Sequence, residues 1–202
     1  WAIKENGESK KLYETCKYLC ECLIKLGVAI DGGKDSLSMS VKYKNIKETV
    51  IKSPGNIVVS GYCSVENIYK KITPNFKQCG SNIILLQFNE KYRKGCGILD
   101  REFNMEYLDP DCPIFEETEE FNKCFNLIQT MIKNDKILSL HDRSDGGLIC
   151  TLTEMSISSN LGVIIDIKTN LYETDIEYFF NEELGLVLEV DINKIDMFYD
   201  IV

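Results

Sequence analysis

The sequence has a single histidine, a single tryptophan and four prolines, and it has fewer basic than acidic residues. Lysine and arginine number 23 against 32 aspartates and glutamates, which gives a formal net charge of -9 at pH 7. This charge disfavours binding to a nucleic-acid backbone. No apolar run approaches the roughly 18 residues that a membrane-spanning helix needs. We therefore predict neither a nucleic-acid partner nor a membrane partner.

Cysteine is present nine times, but its pattern is typical neither of a metal site nor of a disulfide framework. Cys16, Cys20 and Cys22 form no CxxC pair, and the one histidine, His141, is remote from them in the sequence. This spacing disfavours zinc, and an odd count in a chain of this length disfavours a disulfide scaffold. The sequence instead predicts buried, reduced cysteines and a reducing compartment, most simply the cytoplasm.

The 202 residues suffice for one domain, or for one domain and part of another, and 44% of them are apolar. The chain begins at Trp1 without an initiator methionine or a signal-peptide core, and it stops within a helical pattern at residues 194–202. We expect both ends to be cuts in a longer protein.

Hydrophobic periodicity predicts an alternation of helices and strands. Apolar residues recur at helical spacing from Leu12 to Leu26, and Gly27 follows where a left-handed residue often closes a helix. Further helices are predicted at residues 64–72, 114–132, 148–157, 176–180 and 194–202. Strands are predicted at residues 28–30, 37–43, 57–63, 83–88, 137–138, 163–167 and 186–190. This order favours an α+β fold, an α/β sandwich with helices on a sheet.

Two stretches interrupt this alternation. The polar segment that ends in Ser53-Pro54-Gly55 predicts either a domain boundary or a long turn. Residues 89–113 are the least regular part of the chain, and we expect an insertion or a mobile loop there.

A first glycine loop, Asp31-Gly32-Gly33-Lys34-Asp35-Ser36, follows a short apolar run. Glycines let backbone amides approach a phosphate, and Lys34 adds a positive charge. The loop is not a P-loop, because Gly33 intervenes before the lysine and Asp35 stands where serine or threonine is required. The same pattern also fits a glycine turn between two strands with solvated charges.

A second loop, residues 139–147, holds more potential ligands than any other stretch. Asp142 and Asp145 offer oxygen ligands for Mg²⁺, while Ser144 and the amides of the glycine pair that follows could meet phosphate at a helix start. The pattern equally fits an ordinary helix N-terminus that Asp145 caps while Arg143 pairs with an acid.

Three further residues have side chains that could take part in chemistry. His141 could act as a base, but it lacks a nearby serine or cysteine nucleophile in a nucleophile-elbow context, and a packed, hydrogen-bonded histidine is the preferred interpretation. Glu182 and Glu183 could reach a metal, but a solvated turn is the stronger expectation.

Four ordered motifs resemble one family, the large single-chain form of phosphoribosylformylglycinamidine synthase (formylglycinamide ribonucleotide amidotransferase). The motifs are Gly33-Lys34-Asp35-Ser36-Leu37-Ser38-Met39, His141-Asp142-Arg143-Ser144-Asp145-Gly146-Gly147-Leu148, Thr151-Leu152-Thr153-Glu154-Met155 and Phe180-Asn181-Glu182-Glu183-Leu184-Gly185. The resemblance covers nearly the whole chain and is weakest at residues 89–113. It implies PurM-like subdomains with a mixed sheet covered by helices, residues 1–53 ending an N-terminal-type subdomain and residues 54–202 forming an incomplete C-terminal-type one.

The resemblance also implies a reaction. The family converts formylglycinamide ribonucleotide, glutamine and ATP into formylglycinamidine ribonucleotide, glutamate, ADP and phosphate in de novo purine synthesis. The implied cofactors are ATP or ADP and Mg²⁺, and the implied partners are formylglycinamide ribonucleotide, ATP and the rest of the same chain with its glutaminase domain. The family's catalytic histidine and its glutaminase residues fall outside this chain, so we expect no catalytic residue here and an inactive fragment.

The resemblance assigns roles to five residues. Asp142 matches a Mg²⁺ ligand and Ser144 a nucleotide contact of an auxiliary nucleotide site that is structural rather than catalytic. Gly33 and Ser36 match positions that hold nucleotide and substrate phosphate at the catalytic site. Lys34 stands where the related small form has a Mg²⁺-binding asparagine, so its implied role is positive charge toward phosphate.

Two alternatives remain open at this point. One is another ATP-using enzyme of the same superfamily, of the selenophosphate synthetase or thiamine-monophosphate kinase type. The other is a non-catalytic nucleotide-binding scaffold half that serves as a structural module.

Overall fold

The computed structural model describes residues 1–44, 48–89, 91–93, 95–103, 112–116, 118–166 and 174–194. The chain divides into two units, residues 1–65 and residues 66–202, which we call the first and the second unit. The predicted boundary after Ser53 stays a prediction, since it concerns domains of the family rather than this division. Each unit is described by itself.

The first unit contains helix α1 (Glu8–Leu26) and a two-stranded antiparallel sheet of β1 (Ser40–Lys44) and β2 (Glu48–Lys52). The predicted helix is confirmed, and it ends as expected at Gly27, which is left-handed with a φ of 71°. The amide of Gly27 donates to the Ile24 carbonyl at 3.1 Å, so the glycine satisfies a carbonyl that the helix end leaves open.

A three-stranded antiparallel sheet forms the centre of the second unit. Its strands are β3 (Asn82–Gln87), β4 (Ser139–Arg143) and β5 (Gly185–Val190), in the order β3-β5-β4. β5 pairs with a neighbour on both sides, and Val187 and Leu188 are fully buried there. Among the described residues every strand pair is antiparallel, whereas the resemblance implied a mixed sheet.

Helices cover both faces of this sheet. The second unit has α2 (Ile98–Phe103), α3 (Thr118–Lys133), α4 (Gly147–Ser159) and α5 (Asp175–Phe180), and it has 3₁₀ helices at Ile68–Lys70 and Ile192–Lys194. Leu188 and Val190 of β5 pack in one apolar cluster with Ile128 and Met131 of α3. Val187 packs in a second cluster with Leu148, Leu152 and Met155 of α4. Successive strand residues point to opposite faces, so α3 lies on one face and α4 on the other, which confirms the α+β class.

Several predicted elements are wrong. No strand is present at residues 28–30, 57–63 or 163–166, and the helix predicted at residues 64–72 is reduced to the 3₁₀ helix at Ile68–Lys70. That short helix is capped by Asn67, whose Oδ1 accepts from the Tyr69 amide at 3.0 Å. A strand needs a partner for its backbone groups, and an apolar run alone does not supply one. The predicted helix at residues 194–202 lies outside the described residues except for Lys194.

The prediction of buried, reduced cysteines is also wrong in part. Four of the free cysteines are exposed, namely Cys16, Cys20, Cys63 and Cys79. Cys96 and Cys112 form a disulfide within the segment expected to be irregular, which also contains α2. Within the described ranges, no helix has the length and apolar character needed to cross a membrane.

Candidate functional site

The first glycine loop lies in the first unit, between α1 and β1, and has no regular secondary structure. Gly33, Lys34 and Ser36 are all exposed. Lys34 Nζ donates to Ser36 Oγ at 3.0 Å and also to the Asp35 carbonyl, so the lysine folds back over its own loop. A Cβ atom at Gly33 would meet no atom within 4 Å. The loop therefore presents one positive charge and one hydroxyl side by side on an open surface.

The second loop is not a loop over its whole length, because His141, Asp142 and Arg143 form the end of β4. Asp142 pairs with Leu186 of β5, and its side chain is 70% exposed. Ser144 follows the strand directly and is also exposed. The structure thus brings Asp142 and Ser144 together at one end of β4, while Gly33, Lys34 and Ser36 belong to the first unit.

His141 is held from both sides of its ring. Nε2 lies 2.9 Å from Glu154 Oε2 on α4, and Nδ1 lies 2.8 Å from the Asp142 carbonyl. Nδ1 is also 3.2 Å from Asp142 Oδ1, and the side chain is only 16% exposed. The interpretation as a packed, hydrogen-bonded histidine is confirmed, and the contacts link β4 to α4 beside the predicted metal ligand.

The glycine pair does not offer its amides to a ligand, contrary to the prediction. The Gly146 amide donates to Glu182 Oε1 at 2.8 Å, and the Gly147 amide donates to the Ser144 carbonyl at 2.9 Å. Both residues have positive φ, 85° and 69°. A Cβ atom at Gly147 would lie 2.7 Å from the carbonyl carbon of Phe180. The pair is glycine because the backbone conformation and the close approach of α5 require it.

The helix start is also not capped by Asp145, as the alternative reading of the motif expected. The N-cap of α4 is Gly146, which has no side chain that could cap the helix. The Asp145 side chain is 85% exposed, and its Oδ2 atom lies 3.8 Å from Arg101 Nη2. Asp145 therefore contributes a solvent-exposed charge rather than a helix cap.

Glu183 does not lie in a solvated turn, which corrects the expectation for that stretch. Its side chain is fully buried, and Oε2 accepts from Arg93 Nη2 at 2.7 Å and from Asn89 Nδ2 at 3.1 Å. Burial alone would raise the pKa of Glu183, but the hydrogen bonds from Arg93 and Asn89 outweigh it and lower the pKa below its ordinary value. Arg143 Nε adds a hydrogen bond to the Glu183 carbonyl at 2.6 Å.

Glu189 is a second buried carboxylate that the sequence reasoning missed. It lies in β5 and accepts from the Lys77 and Gln78 amides at 2.8 and 3.2 Å, from Ser81 Oγ at 2.7 Å and from Ser139 Oγ at 3.0 Å. The sequence did contain an indication of this, because a glutamate within an apolar strand is expected to be buried and to need hydrogen-bond donors around it.

A Mg²⁺ ion would find one suitable ligand at the second loop. Asp142 supplies an exposed carboxylate, the oxygen donor that Mg²⁺ prefers, and the neighbouring Ser144 supplies a hydroxyl. Across the described part of the chain, no group of three or more histidine, cysteine, aspartate or glutamate side chains could hold a metal ion. Asp142 and Ser144 fit part of a Mg²⁺ site, and phosphate, water or further residues would have to supply the other ligands.

Two domain-family models match the sequence. The model described as FGAR-AT PurM_N-like domain matches residues 1–64, and the model described as AIR synthase related protein, C-terminal domain, matches residues 106–194. The solved structure titled "Structure of PurLQS from Thermotoga maritima" matches 90% of this chain and 28% of that chain, with a TM-score of 0.58 and 11% identity. These matches and the fold define a PurM-like protein.

Curated relatives specify the family. The "Probable phosphoribosylformylglycinamidine synthase, chloroplastic/mitochondrial" of Arabidopsis thaliana is 38% identical over 97% of this chain and 14% of its own length. The "Probable phosphoribosylformylglycinamidine synthase" of Caenorhabditis elegans is 37% identical over 94% of this chain and 15% of its own length. The chain belongs to the phosphoribosylformylglycinamidine synthase family. It spans about a seventh of the length of these relatives.

Proposed function

We propose that the full-length protein of this chain is an ATP-dependent amidotransferase of purine synthesis. It would convert formylglycinamide ribonucleotide, glutamine and ATP into formylglycinamidine ribonucleotide, glutamate, ADP and phosphate. The observation that carries the proposal is the similarity to named synthases over 94% to 97% of the chain. The chemistry is phosphorylation of the amide oxygen and attack by ammonia, and its main requirement is fixed charge around the transferring phosphate.

The second loop would hold a nucleotide for stability rather than for reaction. Asp142 offers its carboxylate to Mg²⁺, which would neutralise the charge of the nucleotide phosphates, and Ser144 offers a hydroxyl to the nucleotide. Hydrogen bonds to Glu154 and to the Asp142 backbone fix His141 beside this carboxylate. The turn that follows is fixed by its own hydrogen bonds, which supports a static binding role.

The first loop would contact the phosphates at the catalytic site. Lys34 provides a positive charge that lies 3.0 Å from the Ser36 hydroxyl, so a phosphate oxygen could accept from both groups. Gly33 leaves open space next to them. This arrangement supports a role in binding and orienting phosphate, and the residues of the reacting centre itself would come from other parts of the full-length protein.

Complementation tests the function directly. The full-length gene is expressed in a purine auxotroph that lacks phosphoribosylformylglycinamidine synthase, and growth without added purine is expected. Soluble protein that fails to restore growth would favour a non-catalytic scaffold.

The purified full-length protein distinguishes the other ATP-using enzymes of the superfamily. We expect ADP release that depends on formylglycinamide ribonucleotide and glutamine. ADP release that depends instead on selenide, or ATP-dependent phosphorylation of thiamine monophosphate, would contradict the proposal.

The location and the source of ammonia are proposals as well. We expect the full-length protein in the cytoplasm and a glutaminase domain in the same polypeptide as the source of ammonia. Microscopy of a fluorescent fusion tests the location, and a label from amide-¹⁵N glutamine that appears in the product tests the ammonia source.

A further inference from the structure

The Glu182 carboxylate joins three segments of the second unit that are distant in the sequence. Its Oε1 atom accepts a hydrogen bond from the Gly146 amide at 2.8 Å and another from the Ile98 amide at 2.9 Å. Gly146 is the N-cap of α4, and Ile98 is the first residue of α2. One carboxylate oxygen therefore holds the turn after Ser144 against the start of α2.

The glycines around Glu182 allow this close approach. A Cβ atom at Gly97 would lie 3.3 Å from Glu182 Cδ, which is closer than an ordinary van der Waals contact. Gly146 has a φ of 85°, a conformation that favours glycine, and in it the amide points at the carboxylate. The acid and the two glycines thus form one fitted contact.

The hydrogen bond from the Gly146 amide to Glu182 affects how a nucleotide phosphate could bind here. A nucleotide phosphate would need the same amide if it bound at the start of α4, because both groups are anions that accept hydrogen bonds. Glu182 already supplies the negative charge that the start of a helix favours. A bound nucleotide would then be held at this end of β4 through the side chains of Asp142 and Ser144. Asp142 is held in β4 itself, whereas Ser144 lies at the start of the turn that Glu182 fixes.

We propose that Glu182 is a positioning residue of the nucleotide site. It fixes the turn that begins at Ser144, and in this way it sets the distance between the Ser144 hydroxyl and the Asp142 carboxylate. It touches neither the nucleotide nor the metal ion. The proposal rests on the proposed nucleotide-binding function of these two residues and deepens it.

The test measures the binding of ADP by calorimetry in the full-length protein, freed of bound nucleotide, with and without Mg²⁺. We expect Glu182→Ala to raise the Kd for ADP with Mg²⁺ about tenfold, since two hydrogen bonds to a charged acceptor are lost. Glu182→Gln keeps an Oε1 acceptor, so its Kd should stay within about threefold of the wild type. The control is Glu120→Ala, which removes an exposed glutamate from the first turn of α3 and should leave the Kd unchanged.

The dependence on Mg²⁺ separates positioning from a general loss of structure. We expect Glu182→Ala to reduce the gain in ADP affinity that Mg²⁺ provides, because Asp142 and Ser144 no longer act together. If this gain is the same as in the wild type, or if the alanine variant binds ADP more tightly, the proposal is wrong. Tighter binding would show instead that Glu182 competes with phosphate for the Gly146 amide.

A milder variant covers the case in which Glu182→Ala does not fold. Gly97→Ala keeps the carboxylate but forces it to shift by a few tenths of an ångström. We expect weaker ADP binding with Mg²⁺ while the thermal midpoint of the nucleotide-free protein stays close to that of the wild type. Unchanged binding in a folded Gly97→Ala protein would contradict the proposal. Wild-type protein that binds no ADP at all would overturn the proposed function itself.

Discussion

Arg93 and Glu183 form a buried ion pair in which Arg93 Nη2 lies 2.7 Å from Glu183 Oε2. The two residues are 90 positions apart in the sequence, and only 8% and 0% of their surfaces are exposed. Glu183 directly follows Glu182 and precedes β5, the strand that pairs with β4. The ion pair therefore anchors the segment from which Glu182 reaches the second loop.

Loss of one partner of this pair should be strongly destabilising. Arg93→Ala leaves an uncompensated buried carboxylate, and we expect it to lower the free energy of unfolding by about 3–5 kcal/mol. Hydrogen exchange of the β5 amides in the full-length protein measures this effect locally. The matched control is Arg101→Ala, because Arg101 is 57% exposed and lies 3.8 Å from Asp145, and its loss should cost less than about 1 kcal/mol. Equal protection in the two variants would contradict the account of the pair.

The same carboxylate predicts how stability depends on pH. Because the pKa of Glu183 is lower in the folded state than its ordinary value of 4.5, its contribution is fully present above pH 4.5. The contribution is lost as the pH falls through the folded-state pKa. We therefore expect the difference in thermal midpoint between wild type and Glu183→Gln to be largest near neutral pH and to shrink in acid. If the difference in thermal midpoint grows in acid, the pKa of Glu183 is not lowered in the folded state.

The glycine pair offers a test of backbone conformation. Gly147→Ala places a Cβ atom 2.7 Å from a backbone carbon of α5 at a φ of 69°, so we expect a loss of at least about 2 kcal/mol and poor soluble expression. Gly162→Ala is the control, since no atom lies within 4 Å of the added Cβ there. Thermal unfolding of the two full-length variants should differ by several degrees, and similar midpoints would show that α5 can move away.

The first loop predicts a kinetic effect. Ser36→Ala removes the hydroxyl beside Lys34 Nζ, and we expect kcat/KM for formylglycinamide ribonucleotide or ATP to fall about tenfold or more. Ser38→Ala, an exposed serine two positions further on, serves as the control and should keep wild-type kinetics. Steady-state kinetics of the full-length wild type and of both variants measure this effect. An unchanged kcat/KM in Ser36→Ala would remove this residue from the phosphate site.

The helices and strands that the sequence predicted correctly are those whose pattern is periodic and whose burial is local. α1, α3, α4 and β5 follow from apolar spacing. α3 and α4 bury one face and β5 buries both, whereas the apolar residues of α1 are at most half-buried. The prediction of a strand at residues 57–63 is wrong, because these residues pair with no strand among the described residues of the first unit. Apolar periodicity is a property of one segment, whereas strand formation also requires a second segment whose backbone groups can pair with it.

The sequence predicted individual residues of the candidate site but not the contacts between them. Motif order singled out Asp142 and Ser144, and their roles stay predictions; Asp142 lies near the end of β4 and Ser144 directly follows the strand. The sequence motifs could not show that Glu182 accepts a hydrogen bond from the Gly146 amide, because that contact joins residues 36 positions apart. Burial of Glu183 was equally hidden, since its partner Arg93 lies in the segment with the least regular pattern. Long-range pairing of charges leaves no periodic trace in the sequence.

Asp142 is proposed to help hold a nucleotide that stabilises the protein and does not react. The most direct measurement compares Asp142→Asn with Asp145→Asn, an exposed aspartate of the same loop, in the full-length protein. We expect Asp142→Asn to be purified with less bound ADP and to melt several degrees lower, since bound ligand stabilises the folded state by mass action. Its kcat should change less than its stability, and Asp145→Asn should behave as the wild type. An Asp142→Asn protein that keeps its ADP and its melting temperature but loses turnover would contradict the claim.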